Sequence, residues 1–311
     1  MSNNIAILGA GVSGIGAAIL ASNKNYNVFI SDSNSIDKKN KKVLDNHNIA
    51  WEENGHDLAK ILTYDLVIKS PGIPNHINII QKIIEKEISI ISEIEFASRF
   101  TKAKIVAITG TNGKTTTALL VYKILNDFGY DVLLAGNIGI SFAAEICKKD
   151  YDFVVLEVSS FQLDNIVEFR PSISIILNIS ADHLDRYNNN FSNYVYSKLH
   201  ITKNQTKKDF LIYNYDDKSL SALKTNAKKI PISLKYKLNG DSGLYTNNKM
   251  NINLNNKTMT IEKLALKGTH NIFNSMAAAM AARVFEVSDD KIRKSLIDFE
   301  NIEHRLEYVL T

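Results

Sequence analysis

The sequence predicts an α/β protein with two successive parallel sheets. Apolar runs of strand length alternate with amphipathic stretches from the first residues onward. A glycine-rich turn, Gly9-Ala10-Gly11-Val12-Ser13-Gly14, follows the first of these runs. A second such turn, ending Gly113-Lys114-Thr115, follows a later one.

Residues 5–8, 28–30 and 66–68 read as buried strands separated by helical segments. Ser92 followed by Glu95 spells a capping box, predicting a short helix over 93–100. The polar run Thr101-Lys102-Ala103-Lys104 marks the expected boundary between a first domain (1–101) and a central one (102–300). A second α/β series follows, with strands at 105–108, 132–134, 153–158, 174–178 and 210–213. Its helices are expected at 115–128, 192–203 and 219–227. From 235 to 266 short alternating strands with Asn247-Asn248 and Asn255-Asn256 turns suggest a small antiparallel appendage. Helices at 271–285 and 288–299 close the series.

Composition excludes several classes. The chain has 311 residues, 45% hydrophobic and 23% charged, the balance of an ordinary globular protein of about two domains. A net charge of +4 without a clustered basic stripe gives no reason to expect nucleic acid or an acidic membrane surface as partner. Cys147 is the only cysteine, so no intrachain disulfide can form and a reducing compartment, the cytoplasm, is expected. Residues 5–21 are uncharged, but no Lys or Arg precedes them and Gly9, Gly11 and Gly14 interrupt them, unlike a signal peptide. The other apolar runs are only strand-length, so no membrane span is expected.

The first glycine turn suits a phosphate held at a helix N-terminus, with Asp32 after the next strand placed to meet a ribose or base. Which nucleotide it takes is open at this point: NAD, and hence a dehydrogenase, is one reading, and a bare strand–helix turn is another. In the second turn, backbone N–H groups would cradle phosphates, Lys114 would supply a point charge and the Thr115 hydroxyl would reach Mg²⁺. Ile108 stands where the usual loop has its first glycine. Glu157, near the end of the apolar strand 153–158, is placed to hold Mg²⁺ directly or through water. His183, after Asp182, is either a metal ligand or a packing residue, and Lys198 taken alone is one lysine among many. Asn137 could be a turn residue, and Asn271 could cap the helix it begins.

Thr109-Gly110-Thr111-Asn112-Gly113-Lys114-Thr115-Thr116 resembles the phosphate loop of the Mur ligase superfamily. Gly136-Asn137-Ile138-Gly139, Glu157-Val158-Ser159-Ser160-Phe161-Gln162-Leu163, Asp182-His183-Leu184-Asp185-Arg186-Tyr187 and Gly268-Thr269-His270-Asn271 follow in that family's order. The glycine-turn first domain, Ser70-Pro71-Gly72-Ile73 and the Ser-Ser-Phe-Gln-Leu run most resemble the branch that adds D-glutamate. The resemblance implies a Rossmann-like domain followed by a P-loop α/β domain. It also implies ATP and Mg²⁺ as cofactors, and UDP-N-acetylmuramoyl-L-alanine and D-glutamate as substrates of a monomer. The implied reaction phosphorylates the substrate's carboxylate, and the D-glutamate amine then displaces phosphate.

By the same resemblance, Gly110, Thr111, Asn112, Gly113, Lys114, Thr115, Thr116, Asn271 and Arg305 would bind ATP. Lys114, Glu157, His183 and Lys198 would be catalytic, with Thr115, Glu157, His183 and a carbamylated Lys198 around Mg²⁺. Ser13, Asp32, Ser33, Gly72, Asn137, Ser159 and His183 would meet the UDP-substrate. Residues 301–311 would be a hinge to a further domain that carries the amino-acid site, and this chain alone is expected not to complete the reaction. Two rival readings stand beside it: an NAD-dependent oxidoreductase, which leaves Lys114, Glu157 and Lys198 without roles, and a non-catalytic nucleotide-binding protein.

Overall fold

The computed structural model describes residues 4–221 and 223–299. Arg305 and the expected hinge lie outside the described residues. The first stretch runs β1 (Asn4–Leu8), α1 (Val12–Asn23), β2 (Asn27–Ser31), α2 (Lys38–Asn46), β3 (Ala50–Glu52), α3 (Leu58–Ile61), β4 (Leu66–Lys69), α4 (Asn78–Glu85), β5 (Ser89–Ile91) and α5 (Glu93–Ser98). There follow β6 (Lys104–Thr109), α6 (Lys114–Phe128), β7 (Val132–Gly136), α7 (Phe142–Ile146), β8 (Phe153–Glu157), α8 (Ser160–Leu163), β9 (Ile173–Ile176), α9 (Phe191–Leu199) and β10 (Phe210–Asn214). Last come β11 (Lys228–Ser233), β12 (Ser242–Thr246), β13 (Lys249–Leu254), β14 (Lys257–Ile261), α10 (Thr269–Val284) and α11 (Asp289–Ile297).

The chain divides into two compact units. One holds the chain through Lys102 with Gly139–Asp150 and Phe161–Phe169; the other holds Ala103–Ile138, Tyr151–Ser160 and the chain from Arg170 onward. The units are therefore not contiguous stretches of sequence, and two buried carboxylates of α5 supply the physical reason. Glu93 Oε1 accepts from Ser141 Oγ and Ala143 N–H, both at 2.7 Å. Glu95 Oε2 accepts the N–H groups of Val167, Glu168 and Phe169 at 2.9, 3.0 and 2.7 Å. The capping box is thus half realised. Ser92 Oγ does accept from Glu95 N–H, but the Glu95 carboxylate is spent on these N–H groups and on Arg99, and Ser92 N–H goes to Asn165 O.

In the first unit the strands form an all-parallel sheet in the order β3-β2-β1-β4-β5. Its core includes Ala6, Leu8, Phe29, Val67, Ile80 and Ile83. The order reverses beside β1, so the β1–α1 turn sits where open α/β sheets bind ligands.

In the second unit nine strands form one sheet, β14-β13-β12-β11-β10-β9-β6-β8-β7. The expected antiparallel strands are present, and they are joined to the main sheet. β12, β13 and β14 pair antiparallel with one another, and β12 joins β11 in parallel register at Ile232↔Gly243, so they extend the main sheet. Their turns are as expected, with Asn247, Asn248, Asn255 and Asn256 all at φ between 50° and 60°.

Among the described residues, the helix expected at 219–227 does not form. Only a single 3₁₀ turn, Lys218–Leu220, forms, with Asp217 capping it through Ser219 N–H. Among its described residues, the short crossover from β10 to β11 buries Leu220, Leu223 and Ala227, too few for an amphipathic helix face. The strand expected at 174–178 ends at Ile176, and Leu177 and Asn178 continue alongside the end of β6 and the phosphate loop, Leu177 N–H donating to Thr109 O and Thr111 N–H to Asn178 O. Helix α10 starts at Thr269 with Gly268 at its N-cap position, so Asn271 sits inside the first turn and does not cap it.

Candidate active site

The second glycine turn is a phosphate loop in form. β6 ends at Thr109 and α6 starts at Lys114, with Gly113 between them at φ +85°. A β-carbon at Gly113 would also stand 2.7 Å from Asn274 Oδ1, so only glycine fits. α6 has 15 residues, and the N–H groups of its first turn lack intrahelical partners, so they are free to receive an anion with the helix dipole behind them. Lys114 Nζ donates to Gly110 O at 3.0 Å and Thr111 O at 2.8 Å, which holds its charge over the loop.

Beside it lies a buried carboxylate. Glu157, 3% exposed at the end of β8, accepts from Thr115 Oγ1 at 2.6 Å and from Asn137 Nδ2 at 2.9 Å. β7 and β8 pair with Gly136 opposite Glu157, and Asn137 N–H donates to Glu157 O at 2.9 Å. Both donors to the carboxylate are neutral, and among the described residues no Lys or Arg forms an ion pair with it. A buried carboxylate in that state calls for a cation. Thr115 hydroxyl and Glu157 carboxylate are hard oxygen donors of the kind Mg²⁺ takes.

Lys198, 2% exposed on α9, donates from Nζ to Gly110 O at 2.9 Å and lies 4.8 Å from the Tyr194 ring centroid. Thr111 Oγ1 is 3.3 Å from Tyr194 Oη, and burial pushes the Tyr194 phenol above its ordinary pKa. The structure thus draws Gly110, Thr111, Lys114, Thr115, Asn137, Glu157 and Lys198 into one neighbourhood within the second unit. Thr116 lies on the first turn of α6 and Ser159 at the exit of β8. His183 stands in a left-handed conformation on the loop after β9, its side chain 60% exposed and Nε2 3.6 Å from Asp182 Oδ2. Among the described residues, no cluster of three His, Cys, Asp or Glu side chains forms around it or Glu157.

A cavity of about 720 Å³ opens on the loop, lined by Asn112, Gly113, Asn178, His270, Phe273 and Asn274 among others. The sequence reading missed Asn178, Asn274 and Tyr194. Asn271, which it proposed, instead turns its Nδ2 back to Lys267 O at 2.9 Å. The spacing signal for Asn274 was available, since Asn271 and Asn274 lie on one face of a helix.

The first unit carries its own cavity, of about 450 Å³, lined by Gly9, Gly11, Asp32, Ser33, Ser70 and Gly72 with Asn34 and His56. Asp32, Ser33 and Gly72 were expected there; Ser13, on the first turn of α1, is not among the lining residues. Asp32 Oδ2 accepts Ala10 N–H at 2.7 Å and Asn40 Nδ2 donates to Ala10 O at 2.8 Å, so the turn is held from both sides. A β-carbon at Gly14 would collide with the Gly9 carbonyl oxygen, which is why the third glycine of the motif is needed. His56 Nδ1 lies 2.6 Å from Ser31 Oγ, and burial holds the imidazole below its ordinary pKa against the charges of Glu52 and Asp32.

Comparison with known proteins agrees with this geometry. Residues 108–282 match the Mur ligase middle domain and residues 4–79 the MurD N-terminal domain. The UDP-N-acetylmuramoylalanine–D-glutamate ligase of Christiangramia forsetii is 45% identical over 317 residues, covering 100% of this chain and 71% of that protein. The ligase of the same name from Bacteroides fragilis is 45% identical over 310 residues, covering 98% and 70%. Among solved structures, a UDP-N-acetylmuramate:L-alanyl-gamma-D-glutamyl-meso-diaminopimelate ligase from Neisseria meningitides shares the fold at TM-score 0.65 and 18% identity, covering 97% of this chain and 99% of that one. MurF ligase from Thermotoga maritima in complex with ADP shares it at TM-score 0.51 and 15% identity, covering 86% and 62%. With a phosphate loop, a buried strand-end carboxylate and both family matches in register, the chain belongs to the Mur ligase family.

Proposed function

We propose that this chain acts in an ATP-dependent ligase that joins D-glutamate to UDP-N-acetylmuramoyl-L-alanine in peptidoglycan precursor synthesis. The observation that carries the chemistry is Glu157, a buried carboxylate served only by the neutral donors Thr115 and Asn137, beside the Lys114 loop. The choice of D-glutamate rests on the 45% identical relatives that bear that name.

The α6 N-terminus and Lys114 bind the ATP phosphates and offset charge developing on the transferring group. Thr115 and Glu157 would hold Mg²⁺, which would supply further neutralisation of that charge. The substrate carboxylate attacks the terminal phosphorus, the bond to ADP breaks, and the D-glutamate amine then displaces phosphate from the acyl carbon. Lys198 as a carbamate adds oxygen donors at the same place, while its remaining N–H keeps the bond to Gly110 O. His183 and Ser159, on the loops after β9 and β8, are proposed to meet the transferring group by the family resemblance. In the first unit Asp32, Ser33, Gly72 and His56 bind the uridine nucleotide. The reaction belongs in the cytoplasm; no helix among the described residues is long and apolar enough to cross a membrane.

The test is a thermal-shift and turnover series. UDP-N-acetylmuramoyl-L-alanine and ATP should each stabilise the protein, by about 2.7 kcal/mol at 100 times Kd. In the full-length enzyme, ADP release should require the UDP-substrate and prefer D-glutamate over L-glutamate. Stabilisation by NAD in place of the uridine nucleotide would return the first turn to the oxidoreductase reading.

A further inference from the structure

The chain leaving β9 runs alongside the phosphate loop. Leu177 N–H donates to Thr109 O at 3.1 Å and Thr111 N–H to Asn178 O at 2.9 Å, which extends the β6–β9 ladder past both strands. Beyond that point a side chain takes over. Asn178 Oδ1 accepts Asn112 N–H at 2.9 Å, and Asn178 Nδ2 donates to Asn112 O at 2.9 Å. The strand tail that carries Asn178 is itself held, because Asp217 Oδ2 accepts Ile179 N–H at 2.7 Å.

We infer that Asn178 is a positioning residue that sets the anion-binding shape of the phosphate loop, an inference that rests on the ATP reading above. The Asn112 N–H belongs to the 111–112 peptide and its carbonyl to the 112–113 peptide, so one carboxamide fixes both planes. A trans peptide is planar, with its C=O and N–H pointing opposite ways. Holding the Asn112 carbonyl toward Asn178 therefore aims the Gly113 N–H away from Asn178. Thr111 and Asn112 N–H groups are already spent, so the phosphates are cradled by donors from Gly113 onward, in the first turn of α6. Asn178 acts on phosphate binding through Asn112, and Asn178 Oδ1 and Nδ2 are both occupied in doing so.

The experiment measures the Kd of ATP, of inorganic pyrophosphate and of UDP-N-acetylmuramoyl-L-alanine by calorimetry, with Tm, for wild type, Asn178→Ala and Asn178→Asp. Asn178→Ala should weaken ATP and pyrophosphate about tenfold, the scale of one or two net hydrogen bonds, and leave the UDP-substrate Kd unchanged. Asn178→Asp keeps the acceptor but sets a carboxylate against the Asn112 carbonyl, and should lose at least as much. ATP binding within twofold of wild type in Asn178→Ala would overturn the inference. So would an equal weakening of ATP and UDP-substrate with a large fall in Tm, the mark of a merely structural role. Failure of the ATP reading itself would show separately, as wild type that binds neither ATP nor pyrophosphate.

Discussion

Thr115 Oγ1 donates to Glu157 Oε2 at 2.6 Å, linking the first turn of the phosphate-loop helix to the end of strand β8. Two residues far apart in sequence thus share one hydrogen bond at the place where a metal-bound phosphate would sit. Glu157→Gln keeps an acceptor for Thr115 but removes the charge. Turnover should fall about 10²–10³-fold, as for loss of one charge-stabilising group. The Mg²⁺-dependent part of ATP binding, read by calorimetry with and without EDTA, should vanish. Persistent Mg²⁺ dependence in the variant would remove Glu157 from the metal site.

Lys114→Ala should abolish productive ATP binding with little change in Tm, because Lys114 Nζ meets only the loop carbonyls of Gly110 and Thr111. In the full-length enzyme a loss of about 10²–10³-fold in ADP formation is expected. An unchanged rate would sink the loop assignment.

Two glycines of the first turn should behave differently. Gly14→Ala drives a methyl into the Gly9 carbonyl and should cost roughly 1–3 kcal/mol in denaturant unfolding. Gly11→Ala meets nothing within 4 Å, and at φ −78° it should change stability by about 1 kcal/mol or less. Equal costs at the two positions would contradict the close strand–helix approach.

Glu93 yields a pH prediction. Burial, the largest influence, raises its pKa above 4.5 despite hydrogen bonds from Ala143 and Ser141. A raised folded-state pKa means this group's contribution to stability is fully present below the unfolded value and is lost as pH rises through the folded one. Glu93→Gln keeps an acceptor for Ser141 and Ala143 without a titrating charge. Its stability relative to wild type should therefore rise as pH climbs from about 4.5 upward. A difference flat across that window would refute the raised pKa.

Lys198 should carry an added CO₂ in the Mg²⁺-loaded protein. Its burial beside Gly110 O and the oxygen preference of Mg²⁺ support this. Carbon-13 NMR with labelled bicarbonate should show a carbamate signal that Lys198→Ala loses; absence of that signal in wild type would count against it.

The sequence by itself determined the strand–turn–helix grammar of both glycine turns and the Asn-Asn hairpin turns. It also singled out Lys114, Thr115 and Glu157 as candidates, from local spacing and from the apolar run before a strand-end carboxylate. Only the tertiary structure decided the rest. Asn178 lies just past the end of β9 and reaches Asn112 because β9 pairs with β6, a register no local pattern states. Glu95 left its expected cap because three distant N–H groups, at Val167, Glu168 and Phe169, offered a buried carboxylate better satisfaction than one N-cap does. Likewise the junction of the antiparallel strands β12–β14 with the main sheet came from Gly243 settling beside Ile232. Local chemistry sets turns, caps and strand ends. Which distant groups satisfy a buried charge or extend a sheet edge depends on partners that only the folded chain brings together.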